Sequence, residues 1–315
     1  MEYKSIICVF RYISLHLYTQ YEPEIRLDIY REVTNWINTS WHKNNMCSSF
    51  YNITSNVNKA PEIVSGEWGW STCKLHNKPI PCIYKGILEA VTGANTDIDQ
   101  AKFISRMYLM NIMSNVPFSV YYDLIDDGEH YGVIDVSDGI RPKLSYLAAS
   151  TLKKLLGNGS YIKRLSSNII KNIHHKPVNV CNAFGKHKKD CGYIGITKEE
   201  CEGKRGCCFD KPHISGPQCY YSNGGNETIY ILQFLVDNKV ALAAWRNGTG
   251  KGVMNEENLL VQIEHDVDDR QITTSCYGVY NYIGENLPVV CGNNESLYLN
   301  VSDRPKFFIS YTRTL

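Results

Sequence analysis

Glu62-Ile-Val-Ser-Gly-Glu-Trp-Gly-Trp-Ser71 is the stretch on which the reading of this chain turns. Its first half, Glu62 to Glu67, reads as a short strand ending in a carboxylate. Trp68 and Trp70 flank that carboxylate, and Gly66 and Gly69 sit on either side of the Glu67–Trp68 pair. Indoles offer flat apolar surfaces of the size of a pyranose ring, and glycines let the backbone bend at a rim. A strand-end glutamate with such neighbours suits a sugar site; alone, it reads equally well as one half of an ion pair.

The segments around it follow one grammar. Residues 12–18 alternate as a strand carrying His16 and Tyr18 at its end. Residues 26–37 read as an amphipathic helix with Leu27, Tyr30, Val33, Trp36 and Ile37 on one face, and 40–60 as a polar loop. After the tryptophans comes a loop with Cys73 and Cys82, then a helix to about Ser114 opened by a Thr96/Asp99 capping box. Residues 117–123 read as a third strand, and 145–156 as a helix stopped by Gly157 as its C′ residue. Strand followed by helix, three times over, is the grammar of a parallel α/β unit spanning 1–157.

Past residue 160 the grammar changes. Short apolar runs at 231–235, 240–245, 259–263, 277–283, 287–290 and 297–301 alternate with Asn/Gly/Asp turns, which predicts a β-sandwich. The expected organisation is α/β plus all-β: an α/β unit over 1–157, the first sandwich strand within 158–176, a cysteine-rich insert over 177–222, and the rest of the sandwich over 223–315.

Composition narrows the function classes. Lys and Arg number 33 against 32 Asp and Glu, so a nucleic-acid binder held by phosphate contacts is not expected. No apolar run approaches the roughly 18 residues that a spanning helix needs. The twelve cysteines are even in number, and six fall between Cys181 and Cys219. That density reads as a disulfide framework formed in an oxidising compartment. Seven N-glycosylation sequons, at Asn38, Asn52, Asn158, Asn226, Asn247, Asn294 and Asn300, agree with it. The expected location is therefore the secretory pathway: extracellular, lysosomal or lumenal. Met1 to Phe10 is too short and mixed for a signal peptide, and the chain reads as starting inside a folded domain.

The insert spaces as C-x9-C-x9-C-x5-C-C-x10-C and contains Cys191-Gly-Tyr193, Gly195-Ile-Thr197 and Gly206-Cys-Cys-Phe-Asp210. These residues resemble a trefoil (P-type) domain over about 177–222. The departures are Lys188 where the family has Arg, a third-to-fourth cysteine spacing one residue longer, and Tyr220 in place of Phe. Spacing alone leaves 15 pairings of six cysteines open. The resemblance implies Cys181–Cys208, Cys191–Cys207 and Cys201–Cys219. It also implies carbohydrate, including mucin-type glycans, as a partner; a plain spacer is the alternative. Cys73–Cys82 and Cys276–Cys291 are expected as local disulfides, while Cys8 and Cys47 either pair with each other or are free, their partners lying outside this sequence.

The α/β unit carries a second resemblance. Ser14-Leu-His-Leu-Tyr18, Ser65-Gly-Glu-Trp-Gly-Trp-Ser71, Ser119-Val-Tyr-Tyr-Asp123 with Asp126-Asp-Gly128, Tyr131-Gly-Val-Ile134 and Tyr146-Leu-Ala-Ala149 resemble the last strands of a retaining (β/α)8 glycoside hydrolase, close to families 5 and 39. A β-sandwich with a strand like Val240-Ala-Leu-Ala-Ala-Trp245 normally follows. The resemblance implies a partial (β/α)8 barrel, about strands six to eight, with Glu67 as nucleophile. It also implies substrate contacts from His16, Tyr18, Trp68, Trp70, Tyr122, Asp126 and Asp127. Sites of this fold lie at the C-terminal ends of the strands.

A retaining hydrolase needs a second carboxyl group, about 5–5.5 Å from the first, and the resemblance implies an Asn-Glu pair at the end of strand four. The Asn-Glu pairs here, at 226–227, 255–256 and 294–295, all follow the α/β unit. The chain therefore reads as the C-terminal part of a longer enzyme that lacks its acid/base and, as written, is inactive on ordinary glycosides. A non-catalytic, trefoil-bearing carbohydrate-binding or mucin-binding protein is the alternative, and a structural secreted glycoprotein a further one. No cofactor is expected. The His174-His175 pair with His187 lacks metal-ligand spacing, so no metal is expected either.

Overall fold

The computed structural model describes residues 11–18, 23–43, 60–72, 96–126, 130–171, 197–204, 208–209, 219–220, 229–247, 259–264, 270–293 and 295–313. The first part runs β1 (Tyr12–His16), a 3-10 turn (Pro23–Arg26), α1 (Leu27–Lys43), β2 (Glu62–Trp68), α2 (Asp97–Met113) and β3 (Ser119–Tyr121). It continues through the hairpin strands β4 (Ile134–Asp135) and β5 (Arg141–Pro142) to α3 (Leu144–Leu156). Strands β1, β2 and β3 form a parallel sheet in that order, with β2 in the middle. The described residues contain these three parallel strands and no closed barrel.

Local chemistry accounts for the helices. Thr96 caps α2 by accepting from the Asp99 N–H at 3.1 Å, while the Asp99 carboxylate accepts from the Thr96 N–H at 3.0 Å. Two helix ends and one helix face differ from expectation. Helix α1 continues to Lys43, into residues read as loop, and its Trp36 is 54% exposed instead of sharing the buried face of Tyr30 and Ile37. Gly157 ends α3 with helical angles (φ −62°, ψ −23°), so it is not a left-handed C′ residue. Glycine fits there because a Cβ would meet the Lys153 carbonyl oxygen at 2.3 Å.

The second part is a two-sheet sandwich. It comprises β6 (Ser160–Arg164), β7 (Asn168–Lys171), β10 (Ile229–Val236), β11 (Lys239–Arg246) and β12 (Leu259–Glu264), and between β7 and β10 the insert carries a helical turn at Glu199–Lys204 and a separate two-stranded sheet of β8 (Cys208–Phe209) and β9 (Cys219–Tyr220). It is completed by α4 (Arg270–Thr274), β13 (Cys276–Asn281), β14 (Asn286–Cys291), β15 (Ser296–Val301) and β16 (Lys306–Arg313). One sheet runs β14-β13-β16-β11-β10-β6 and the other β15-β12-β7. Two strands, not one, precede the cysteine-rich insert, and they enter different sheets. The insert thus leaves the chain after a strand of the small sheet and returns it at a strand of the large one.

Both faces of the large sheet are covered. Ile231, Leu242, Ala244, Tyr277 and Phe308 pack on Leu259, Val261, Leu297 and Leu299 of the small sheet. Tyr230, Leu232, Phe234, Ala243, Trp245 and Phe307 face the other way, onto Leu109 and Met110 of α2 and Leu156 of α3. Burial on both sides explains why Val240-Ala-Leu-Ala-Ala-Trp245 is apolar without alternation. It also explains why β16, with Phe307-Phe308-Ile309, escapes an alternation test although it is central to the sheet.

Candidate functional site

The carboxylate of Glu67 is placed by a break in the β1–β2 register. Leu15 pairs with Ser65, but His16 pairs with Glu67, so Gly66 is the extra residue of a bulge. A Cβ at that position would lie 1.8 Å from Ser14 Oγ, so any larger residue would require the Ser14 side chain to turn away. The register beyond it is held by the Leu17 N–H donating to the Glu67 carbonyl at 3.0 Å. His16 Nδ1 then lies 3.1 Å from Glu67 Oε2, and the Tyr18 hydroxyl donates to Glu67 Oε1. The Glu67 side chain keeps 33% of its exposure and His16 56%, so the group opens to solvent. Burial pushes the Tyr18 phenol well up, and the bond to Glu67 and that carboxylate's charge push it further. Tyr18 therefore keeps its proton and donates a hydrogen bond to the carboxylate. Among the described residues, no lysine or arginine pairs with Glu67.

Trp68 and Trp70 do not serve as ring surfaces for a ligand. They are 0% and 1% exposed. Trp68 packs edge-on against Trp70, Tyr108 and Tyr121, and Trp70 tilts against Phe103. The Trp68 indole N–H donates to Ser119 Oγ at 2.6 Å, Asn111 Nδ2 donates to the same oxygen at 2.7 Å, and the Tyr30 hydroxyl donates to Asn111 Oδ1 at 2.7 Å. This ladder ties β2, β3, α2 and α1 together, and burial pushes the Tyr30 phenol up to about 12. The indoles form the floor on which Glu67 stands.

Tyr122 and Asp126 follow β3, and Asp127 lies outside the described residues. The Tyr122 N–H donates to the Trp68 carbonyl at 2.8 Å, so Tyr122 does reach the rim beside β2. Asp126 does not act as a free rim acid. Its carboxylate lies 2.6 Å from Lys143 Nζ, with both side chains more than nine-tenths buried, and Lys143 also donates to Thr72 Oγ1 at 3.1 Å. That pair closes the loop after β3 onto the loop after β2.

Tyr131 is the residue that strand-end reasoning missed. Its ring lies edge-to-face with Tyr18 and with Tyr122, each at 5.7 Å. Its carbonyl accepts from the Tyr121 hydroxyl at 2.8 Å and from Gln100 Nε2 at 3.1 Å. Gly69 makes room for it, because a Cβ there would meet the Tyr122 carbonyl oxygen at 2.2 Å and Tyr131 Cδ1 at 3.0 Å. The signal available in the sequence was an aromatic after a Gly-containing acidic turn, which spacing cannot connect to Glu67.

The sandwich braces this site from below. Glu24, just past the segment carrying His16 and Tyr18, accepts two hydrogen bonds from the guanidinium of Arg106. It also accepts one from the Trp245 indole at 2.7 Å. Lys102 lies 2.9 Å from Asp99 and 2.8 Å from Asp303, all three buried. Burial alone would raise the Asp99 acid; Lys102 and the Thr96 donors outweigh it and hold it below the ordinary value.

Two disulfides are described, Cys201–Cys219 and Cys276–Cys291. In the first, Cys201 packs with Cys219 and Phe209, and β8 pairs with β9. Of the other expected bonded cysteines, Cys208 lies in β8, and Cys73, Cys82, Cys181, Cys191 and Cys207 fall outside the described residues, as do Cys8 and Cys47. Among the sequons, Asn38, Asn158 and Asn300 are exposed and Asn247 is half-buried, with Asn52, Asn226 and Asn294 outside the described set. No group of metal-ligating side chains occurs among the described residues, and no described helix is long and apolar enough to cross a membrane.

Fold and site define a protein of mixed α/β and β-sandwich architecture carrying a small disulfide-bonded module. That module, residues 181–222, matches the family model of the trefoil (P-type) domain. It is 44% identical over 41 residues to a putative gastrointestinal growth factor xP1 of Xenopus laevis, covering 13% of this chain and 51% of that protein. It is 45% identical over 42 residues to trefoil factor 3 of Canis lupus familiaris, again 13% of this chain and 51% of that protein. With human trefoil factor 3 the identity is 36% over 62 residues, 20% of this chain and 76% of that protein. The chain belongs to the trefoil family through this module, and it spans about half the length of the first two relatives. Among solved structures, a family 39 glycoside hydrolase from the gut symbiont Bacteroides cellulosilyticus WH2 aligns with 82% of this chain and 35% of its own, at 16% identity and a TM-score of 0.44. A likeness of that order defines neither fold nor activity.

Proposed function

We propose that the α/β unit is a portion of a (β/α)8 barrel of a secreted retaining O-glycoside hydrolase, and that Glu67 is its nucleophile. The observation that carries this reading is the placement of Glu67 at the C-terminal end of the central parallel strand, held by Tyr18 and His16 and open to solvent. In this role one carboxylate oxygen attacks the anomeric carbon, the leaving group departs, and water later cleaves the glycosyl ester. Tyr18 holds the carboxylate in register for attack and, with its phenol pushed up by burial, does not compete for negative charge. The acid that protonates an ordinary leaving group is a separate requirement. Asp126 does not supply it, because its carboxylate is committed to Lys143.

The test follows from that division. A panel of 2-deoxy-2-fluoroglycosyl fluorides, whose fluoride leaves without an acid, is expected to esterify Glu67 in the full chain. The adduct is read by peptide mass and vanishes in Glu67→Gln. Absence of any adduct at Glu67 across the panel overturns the assignment.

A second reading rests on the trefoil match at 181–222. There the module binds carbohydrate, mucin-type glycans included, in the secretory pathway, and the α/β unit is a scaffold. Glycan-array binding that survives Glu67→Gln and disappears on deletion of 177–222 would favour it.

A further inference from the structure

Ser14 and His16 stand two apart on β1, so their side chains leave the same face of the strand. That face is the open one. Tyr12, Ser14 and His16 are exposed, while Ile13 and Leu15 between them are half-buried and pack on the core of the α/β unit. The Gly66 bulge leaves a gap on the open face. The point that a Gly66 Cβ would occupy lies 1.8 Å from Ser14 Oγ and 3.3 Å from His16 Nε2, so hydroxyl and imidazole border the same space. The other ring nitrogen, Nδ1, is 3.1 Å from Glu67 Oε2. A carboxylate at Nδ1 keeps the neutral ring's proton there and leaves Nε2, on the serine side, as the acceptor. Hydroxyl, imidazole and carboxylate thus follow the order in which a serine is activated for attack. Tyr12, 38% exposed, and Phe118, 50% exposed, meet edge-to-face at 6.3 Å and extend the same face as an apolar patch.

We propose that Ser14, His16 and Glu67 form an acyl-transfer relay that hydrolyses esters of apolar carboxylic acids. Ser14 Oγ bonds to the ester carbonyl carbon and its proton passes to His16 Nε2. The carbon–alkoxy bond breaks, and the departing alcohol takes that proton. Water then attacks the Ser14 ester, giving its proton to Nε2 and its oxygen to the acid, and the proton returns to Ser14. The apolar acyl group lies toward Tyr12 and Phe118. Glu67 orients the imidazole and touches no substrate in this reaction, which is distinct from its attack on a glycoside.

The experiment treats the full chain with an alkyl fluorophosphonate, maps the adduct by peptide mass, and follows p-nitrophenyl butyrate hydrolysis alongside. Wild type is expected to carry the adduct on Ser14, and excess butyrate ester to protect that residue. Ser14→Ala is expected to lose both adduct and hydrolysis, and His16→Gln to slow both by about hundredfold or more. Hydrolysis is expected to fall on acidification, because an imidazolium cannot take the serine proton. Glu67→Gln is expected to slow labelling by about tenfold or more and to move that acid limb to lower pH, since the imidazolium loses its counter-charge. Near-UV circular dichroism checks the packing of each variant, and protection by the ester needs no variant. Absence of a Ser14 adduct in wild type, or hydrolysis by Ser14→Ala equal to wild type, overturns the relay. An acid limb unmoved in Glu67→Gln overturns the part given to Glu67. Fluoroglycoside labelling of Glu67 bears only on the glycosidase reading, so the two readings fail separately.

Discussion

The Tyr18 hydroxyl donates its hydrogen bond to Oε1 of Glu67 across the β1–β2 pairing. A hydrogen bond to a charged group is worth about 1.5–3 kcal/mol, which corresponds to roughly ten- to hundredfold in rate when it steadies a reacting carboxylate. Tyr18→Phe is therefore expected to slow esterification of Glu67 by a fluoroglycoside by that factor and to lower the melting temperature by a few degrees. Equal labelling rates in the two proteins would show that the bond does not prepare the carboxylate.

The close approach at Gly69 gives a second outcome. Its virtual Cβ meets backbone, the Tyr122 carbonyl oxygen at 2.2 Å, and a backbone atom cannot swing aside as a side chain can. Gly69→Ala is expected to cost about 1–3 kcal/mol of stability by overpacking and to displace the Tyr122 and Tyr131 rings. Urea unfolding measures the first and tyrosine ring chemical shifts the second.

Arg106 is fully buried and bonds Glu24, which also receives the Trp245 indole. Arg106→Met leaves the Glu24 charge without its cation, an expected loss of about 3–5 kcal/mol. The double variant Arg106→Met, Glu24→Gln removes that stranded charge and is expected to recover part of the loss. Trp245→Phe removes one donor and costs less, about 1–2 kcal/mol. Denaturant midpoints of the four proteins separate these cases.

Asp99 makes folding stability depend on acid. Its folded pKa lies below the unfolded one, so its contribution is complete above the unfolded value of about 3.9 and is lost as pH falls through the folded value. Unfolding free energy is expected to drop on acidification below about pH 4. Asp99→Asn should flatten that drop while lowering stability at neutral pH. An unchanged acid slope in the variant would assign the dependence to other carboxylates.

The Cys276–Cys291 bond closes a loop with a sequence separation of 15 across the paired strands β13 and β14. In the chain-entropy account a loop of that length is worth about 3 kcal/mol. Replacing both cysteines by serine is expected to lower the melting temperature by several degrees without altering the α/β unit, read by calorimetry and by the Glu67 labelling rate.

The sequence by itself determined the local and covalent features. The capping box at Thr96 and Asp99, the short apolar runs of the sandwich and the change of grammar near residue 160 rest on nearest-neighbour chemistry, and the cysteine spacing together with the Cys191-Gly-Tyr193, Gly195-Ile-Thr197 and Gly206-Cys-Cys-Phe-Asp210 residues carries the resemblance to a trefoil module. It also marked Glu67, because a carboxylate between Gly and Trp at a strand end is a local pattern. Only the tertiary structure decided which way the neighbours of Glu67 face. Period two cannot foresee the Gly66 bulge, because that bulge is a shift of register against another strand. Nor can it show that both tryptophans turn into the α1–α2 core, or that Asp126 is held by a lysine at the start of α3. Tyr131 and the Arg106–Glu24–Trp245 brace join residues far apart in the chain. Such contacts form only when buried polar groups must find partners in a closed core, so tertiary packing, not any local window, selects them.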